Sequence, residues 1–285
     1  YGQDLVQVAP DWKILGGLRY DSMTGDYDTF NAATGAVTGS YSMKVSEWSK
    51  RFGVLYQPSP LHSFHFSYGT SFNTSGEAYS LGAANVNTPP ESSENLELGA
   101  RIESADKKFT SRVALFKSTK KHERNTDPLL PGITVLSGKR HVAGIDADIA
   151  GYITPQWEVF GSYMWMPTAK IDIGAQGAEG QGARPSLTPK HSGTVWSTYR
   201  ITPQIRVGAG LNFRSSQTPI RNPGWSVPSY VTGDLMAEYA IDVDRIILKA
   251  NISNVSNKLY ADALYSGHYV PGAGRLFQVS AKFKF

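Results

Sequence analysis

The sequence predicts an all-β protein, an antiparallel membrane-spanning β-barrel, on three observations. Apolar and polar residues alternate in segment after segment. Short turns and long polar loops take strict turns in joining those segments. And the 285-residue chain has no apolar run near the roughly 20 residues that a membrane helix needs.

Composition agrees with each. Hydrophobic content is 40%, aromatic content 12% and mean hydropathy −0.30. A helical membrane protein is excluded, whereas a barrel strand needs only one apolar face. Cysteine is absent, so disulfide and thiolate chemistry are excluded. The net charge of +4 is spread along the chain without a basic block, so nucleic acid is not an expected partner. The chain opens on Tyr1 with no signal-like segment, and is expected to be a piece of something longer.

The strands follow in order. Tyr1 to Val8 reads as a short strand ended by Ala9-Pro10-Asp11-Trp12. Ile14, Gly16, Leu18 and Tyr20 then share one face, against Lys13, Leu15, Gly17, Arg19 and Asp21. Residues 22–44 have the Gly, Thr, Ser, Asp and Asn content of a loop. Trp48, Phe52, Val54 and Tyr56 form the next apolar face, and Pro58-Ser-Pro60 turns the chain into Phe64, Phe66, Tyr68 and Phe72. A polar loop is expected from about Asn73 to Ser92. Leu96, Leu98, Ala100 and Ile102 alternate with Glu97, Gly99, Arg101 and Glu103 up to a turn at Asp106-Lys107. Phe109, Val113 and Leu115 continue, followed by a loop reaching about Lys139.

Ala143, Ile145, Ala147 and Ile149 lead to the turn Thr154-Pro155-Gln156, and Trp157, Val159, Tyr163 and Trp165 lead away from it. A Gly-rich loop spans Gly174 to Arg184. Val195, Tyr199 and Ile201 precede the turn Thr202-Pro203-Gln204, and Ile205, Val207, Ala209, Leu211 and Phe213 follow it. After a loop from Ser215 to Val227 come Val231, Leu235, Ala237, Tyr239 and Ile241. Asp242-Val243-Asp244 turns into Ile246, Leu248, Ala250 and Ile252. A last loop, Ser256 to Ala273, precedes Phe277, Val279, Ala281, Phe283 and Phe285.

That is thirteen strands, with every long loop at one end. Sandwiches and propellers do not segregate loops this way, and outer-membrane barrels do. Trp157 and Trp165 supply a ruler. Eight residues at about 3.3 Å, tilted about 40°, span roughly 20 Å, close to the approximately 25 Å apolar band of such barrels. The opposite faces carry Asp146, Asp148, Asp234, Glu97, Glu103, Arg206 and Arg214, which need a wet or protein-filled interior. An odd strand count with two bare edges is not viable in lipid. Residues 1–285 are therefore expected to be the second part of a larger barrel.

Particular stretches carry a resemblance. Asn251-Ile-Ser-Asn254-Val-Ser-Asn257-Lys258-Leu-Tyr260, then Pro271-Gly272-Ala-Gly274-Arg275 and the terminal Phe285, resemble the last hairpin of TonB-dependent siderophore receptors. Gly274 stands where that family often has Pro. Tyr1-Gly-Gln3-Asp4, Gly17-Leu-Arg19-Tyr20-Asp21 and Glu94-Asn-Leu-Glu97-Leu-Gly99 are similar to the family as well. Tyr68-Gly-Thr-Ser71-Phe72-Asn73-Thr-Ser-Gly76-Glu77 resembles its catecholate-receptor subgroup.

The resemblance implies a plugged barrel of about 22 strands, of which this chain supplies the last thirteen or so, without the plug and early strands. It implies a receptor in the outer membrane of a Gram-negative bacterium that binds a ferric siderophore, with the catecholate class expected. Uptake would be energised by the TonB complex through the missing N-terminal region. A haem, other metal-chelate or cobalamin receptor of the same fold is the first alternative. A porin or a barrel enzyme is the second.

A ferric catecholate is a bulky aromatic anion, so cations and ring faces near the lumen mouth suit it. Arg214, Arg221, Trp225, Tyr265, His268 and Tyr269 are the candidate ligand-binding residues. Lys117, Lys120, Lys121, Arg124, Lys139 and Arg140 read as a basic outer rim facing lipopolysaccharide phosphates. No catalytic or metal residue and no resident cofactor is assigned. His62 and His65 fall on opposite strand faces, Gly174-x-x-Gly177-x-x-Gly180 lacks the strand–loop–helix context of a nucleotide site, and Ser118-x-x-Lys121 is at chance level.

Overall fold

The computed structural model describes residues 1–73, 86, 90–126, 134–174, 180–219, 224–242, 245–265 and 267–283, with side chains left out at 124–126 and 134–137. Thirteen strands form one antiparallel sheet in chain order. They are β1 (Gly2–Ala9), β2 (Trp12–Phe30), β3 (Val37–Ser59), β4 (His62–Asn73), β5 (Glu91–Glu103) and β6 (Phe109–Thr126). Next come β7 (Thr134–Thr154), β8 (Trp157–Ile173), β9 (His191–Arg200), β10 (Ile205–Arg214), β11 (Tyr230–Asp242) and β12 (Ile246–Ser253). A separate small hairpin, β13 (Ala261–Leu264) and β14 (Tyr269–Pro271), precedes the last sheet strand, β15 (Leu276–Phe283). Phe285 lies outside the described residues.

Register confirms the alternation read from the sequence. Leu98, Leu115 and Ile145 are cross-strand partners on one face, and Gly99, Ala114 and Asp146 on the other. The first face is outward: Leu98 is 55% and Leu115 51% exposed. The second carries His65, Glu97, Arg112, Asp146, Asp148, Arg206, Asp234 and Glu238, in register across β4 to β11. A charged wall behind an apolar wall is what a barrel with a polar interior requires.

Aromatic residues mark both edges of the apolar band. Trp12 stacks on Tyr56 with centroids 4.5 Å apart, and eight residues away Tyr20 meets Trp48 at 5.0 Å. The same spacing separates Trp157, whose indole N–H donates to Ser197 Oγ at 2.8 Å, from Trp165. Rings with a polar edge belong at such interfaces.

The turns close on local chemistry. Between β5 and β6, Ser104 Oγ donates to Asp106 Oδ1 at 2.6 Å, and the same oxygen accepts the Lys108 N–H at 3.1 Å. These bonds hold the Asp106 carboxyl below its usual range, with the Ser104 bond the larger cause. Lys107 takes the left-handed conformation at φ 58 that this tight return needs.

Three loop expectations are corrected. Residues 22–44 are not a loop: β2 and β3 pair as far as Phe30 and Val37, around a turn at Asn31–Ala36. Met23, Tyr41, Met43 and Val45 pack together there, so a period-2 pattern lies inside the polar composition. β6 and β7 likewise pair up to Thr126 and Thr134, well inside the expected loop. The last loop holds β13 and β14, too short to show a period.

Candidate functional site

Long loops gather at one end of the inward wall, and the last of them is built on a polar chain that crosses three strands and reaches the residue after β12. Thr194 Oγ1 donates to Asn212 Oδ1 at 2.8 Å, and Asn212 Nδ2 donates to Asp234 Oδ2 at 3.0 Å. Asp234 Oδ1 accepts the Asn254 backbone N–H at 2.8 Å. Asn254 is buried and left-handed, at φ 48. Its amide donates to the Lys258 and Ala273 carbonyls at 2.8 and 3.0 Å, and its Oδ1 accepts the Lys258 N–H at 2.9 Å. Asn257, at φ 52, accepts the Arg275 N–H at 2.9 Å. Asparagine tolerates this backbone while its side chain satisfies the neighbouring chain.

Tyr260 then lies over Gly272. A Cβ at Gly272 would fall 2.0 Å from the ring, so only glycine admits that contact. The Tyr260 ring also packs against Tyr230, with centroids 4.5 Å apart. Burial pushes the Tyr260 hydroxyl pKa up, with the Asp262 charge adding to it.

Arg214, at the end of β10, joins this assembly. Its guanidinium carbon sits 5.9 Å from the Tyr230 ring centroid, and Nη1 donates to the Asp262 carbonyl at 3.3 Å. The β13–β14 hairpin carries Tyr269 at the start of β14, and Tyr265 and His268 in the turn between the two strands. The Tyr265 and His268 rings stack at 4.9 Å and 8°, where the Tyr265 N–H meets the His268 carbonyl at 2.9 Å. Tyr269 pairs with Leu264 and is half exposed. Trp225 is 70% exposed and makes no ring contact among the described residues. Arg221 lies outside the described residues. Arg214, Tyr265, His268 and Tyr269 therefore belong to one substructure, and Trp225 projects from a neighbouring loop pinched by the Gln217–Val227 bridge.

Tyr230, Tyr260 and the polar chain were missed as site-builders. Tyr230 neighbours the outward Val231 and so falls on the inward face, but its contact with Tyr260 spans 30 residues and leaves no local signal. Arg184 was also missed as an anchor. Its Nε donates to the Thr188 carbonyl at 2.7 Å and Nη2 to the Met166 carbonyl at 2.6 Å, and burial pushes its pKa down.

The basic rim divides. Lys120 and Arg140 face inward, where Lys120 Nζ lies 3.0 Å from Glu91, and Arg140 Nε 2.6 Å from Glu123. Lys117, Lys121 and Lys139 face outward, and the side chain of Arg124 is outside those described. His65 bonds Glu97 at 2.7 Å while His62 bonds Ser59 at 2.8 Å on the other face. Gly177, the centre of the glycine pattern, lies outside the described residues.

The family model described as TonB dependent receptor-like, beta-barrel, matches residues 1–255. The probable TonB-dependent receptor BfrD of Bordetella pertussis is 28% identical over 303 residues, covering 100% of this chain and 40% of the relative. The catecholate siderophore receptor Fiu of Escherichia coli K12 is 26% identical over 319 residues, covering 100% of this chain and 41% of the relative. A crystal structure of the siderophore receptor PiuA from Acinetobacter baumannii has a TM-score of 0.89 at 24% identity, over 99% of this chain and 42% of that one. The chain thus spans about 40% of the length of the curated relatives it matches.

Proposed function

The chain belongs to the TonB-dependent receptor-like β-barrel family, whose members are outer-membrane transport receptors, and from that membership we propose that it forms the ligand-gathering wall of a ferric-siderophore receptor. A ferric catecholate is the favoured ligand. Uptake would draw on the TonB complex, through a plug contributed by the rest of the receptor. The chain works by binding and release rather than by catalysis, and iron arrives as cargo within the chelate, not as a resident cofactor. Outer-leaflet lipopolysaccharide surrounds the wall.

One observation carries the reading: Arg214 is held against an aromatic ring at the loop end of the inward wall. Tyr265, His268 and Tyr269 stand on the hairpin that Arg214 supports. A guanidinium and exposed ring faces match an aromatic chelate of negative charge. Arg221 and Trp225 extend the same candidate set from the adjoining loop.

The test is intrinsic-fluorescence quenching of the full-length receptor by ferric catecholates. Saturable quenching is expected, with Arg214→Ala raising Kd about tenfold, the value of one partly exposed charge contact. Absence of quenching by any iron chelate would remove the siderophore reading. Quenching by haem alone would move the ligand to the haem alternative.

A further inference from the structure

Strand β10 places an arginine at each end of its inward face. Arg214 closes the loop end, beside Tyr230. Arg206 lies eight residues away, next to the short turn that leads in from β9. At about 3.3 Å per residue and a tilt near 40°, the two stand roughly 20 Å apart along the membrane normal. Three cross-strand rows surround Arg206. Phe160, Trp196 and Gly210 are partners in the first, Glu158, Thr198, Gly208 and Met236 in the second, and Arg206, Glu238 and Lys249 in the third.

The Trp196 indole lies over both glycines. An added Cβ would fall 2.2 Å from the ring at Gly210 and 3.0 Å from it at Gly208, so bare backbone is what lets the indole rest against the wall. Phe160 beside it is 50% exposed toward the lumen, and Met236 is buried. Together they floor a cavity of about 250 Å³, bounded by Glu158, Phe160, Trp196, Arg206, Met236 and Lys249. A cavity of about 150 Å³ holds one benzene ring, so this one has room for an aryl ring and its substituents. Two polar groups at its edge are unspent. Arg206 Nη2 donates to Glu238 at 2.9 Å and Nη1 lies 3.9 Å from Glu158, but Nε is buried with no hydrogen-bond partner among the described residues. Lys249, the cross-strand partner of Glu238, has no ion pair among the described residues. A buried unpaired N–H calls for an acceptor.

We propose that this cavity is a second ligand station at the turn end of the wall, which takes one oxygen-bearing aryl group of the chelate on its way from the loop-end site to the periplasmic side. Phe160 and Trp196 supply ring faces, while the Lys249 ammonium and the Arg206 Nε–H serve the negative oxygens at the ring edge. Glu158 and Glu238 balance Arg206 and Lys249, so the station carries no net charge. Passage needs a site that binds well enough to be entered and weakly enough to be left. The inference rests on the siderophore reading above and names a different site for the same ligand.

The experiment compares full-length receptor variants in cells with no other ferric-catecholate receptor. Uptake of a radiolabelled ferric catecholate gives the maximal rate per receptor, and binding to de-energised cells gives Kd. Lys249→Gln should lower the maximal rate about tenfold, the worth of one hydrogen bond to a charged group. Phe160→Leu, which keeps the bulk and removes the ring face, should lower it about fivefold, and Phe160→Tyr should retain it. Kd should stay at the parent value in all three, because the loop-end contacts are untouched. Ser162→Ala, on the same face of β8 but outside the cavity, should change neither quantity. A parent rate in Lys249→Gln overturns the proposal, since the charge would then have no role. A parent rate in Phe160→Leu also overturns it, since any apolar filling would then serve, as in a seat for a protein segment. A rise in Kd matching the fall in rate overturns it as well, by placing these residues in the loop-end site. If the parent itself binds no ferric catecholate, the siderophore reading fails first; a parent that binds, with variants that transport normally, sinks this inference alone.

Discussion

At the residue scale, the most informative contact is the ring of Tyr260 on the bare Cα of Gly272. A methyl group there would sit 2.0 Å from the ring, and that ring is also packed against Tyr230, with centroids 4.5 Å apart. Gly272→Ala should therefore destabilise the last loop by about 1–3 kcal/mol, as overpacking does. In a Tyr260→Ala background the same change should cost almost nothing, because the obstructing ring is gone. A double-mutant cycle read by limited proteolysis of residues 256–273 checks this, and additive effects would mean that the contact is not what requires glycine. Asp106 offers a second test. Its depressed carboxyl adds stability above the ordinary carboxylate pKa, and that contribution is lost as pH falls through the lower folded value. Ser104→Ala, which removes the larger cause, should raise the Asp106 titration back toward the ordinary aspartate range. Carboxyl NMR of a selectively labelled sample would show it.

At the element scale, two adjacent residues of β7 separate the faces. Ile149 pairs with Gly161, halfway between Trp157 and Trp165, and points outward, while Ala150 pairs with Phe160 and points inward. Ile149→Arg should cost about 2–4 kcal/mol, the depth-dependent penalty for arginine on the lipid face. Ala150→Arg should be tolerated, since its face already holds Arg112 and Asp148. Urea unfolding in lipid vesicles measures both, and equal costs would contradict the assignment of faces. This parity was the part of the fold open to sequence reading, because it needs only near neighbours. Wherever the strands cross the apolar band, as from Leu96 to Ile102, the contrast between faces is strong and the strands are legible. Above the band both faces are wet, Ser, Thr, Asp and Gly serve equally for loop and strand, and the β2–β3 extension reads as a loop. The candidate site was half legible for a related reason. Residue types suited to an aromatic anion could be picked from Arg214 and the last loop, but the Asn212–Asp234–Asn254 chain that positions them is a product of register.

At the scale of the whole molecule, the decisive feature is the pair of sheet edges. The strand order runs from β1 to β15 without a pairing between the two, so each presents one row of backbone N–H and C=O groups to its surroundings. In water such edges are tolerable. In hydrocarbon each unpaired group costs several kcal/mol, and β1 and β15 contribute eight residues each. About half of those groups point away from the sheet, so the total exceeds the net stability of an ordinary domain, about 5–15 kcal/mol. Joining β1 to β15 by tighter curvature would pair these groups only through a parallel seam, which the even-stranded bacterial barrels do not use. A barrel of thirteen antiparallel strands would meet itself in parallel at the seam, because the first and last strands run in the same direction. An odd number of further strands restores antiparallel closure and the even count of bacterial single-chain barrels. Nine would complete the approximately 22 strands of a plugged outer-membrane transporter. Residues 1–285 expressed alone should therefore fail to give the heat-modifiable mobility of a folded barrel in lipid vesicles. Co-refolding with a chain supplying an odd number of additional strands should restore it, with cross-links forming from β1 and β15 to the added strands. Recovery of a monomeric, heat-modifiable barrel from residues 1–285 alone would mean that the two edges pair with each other after all.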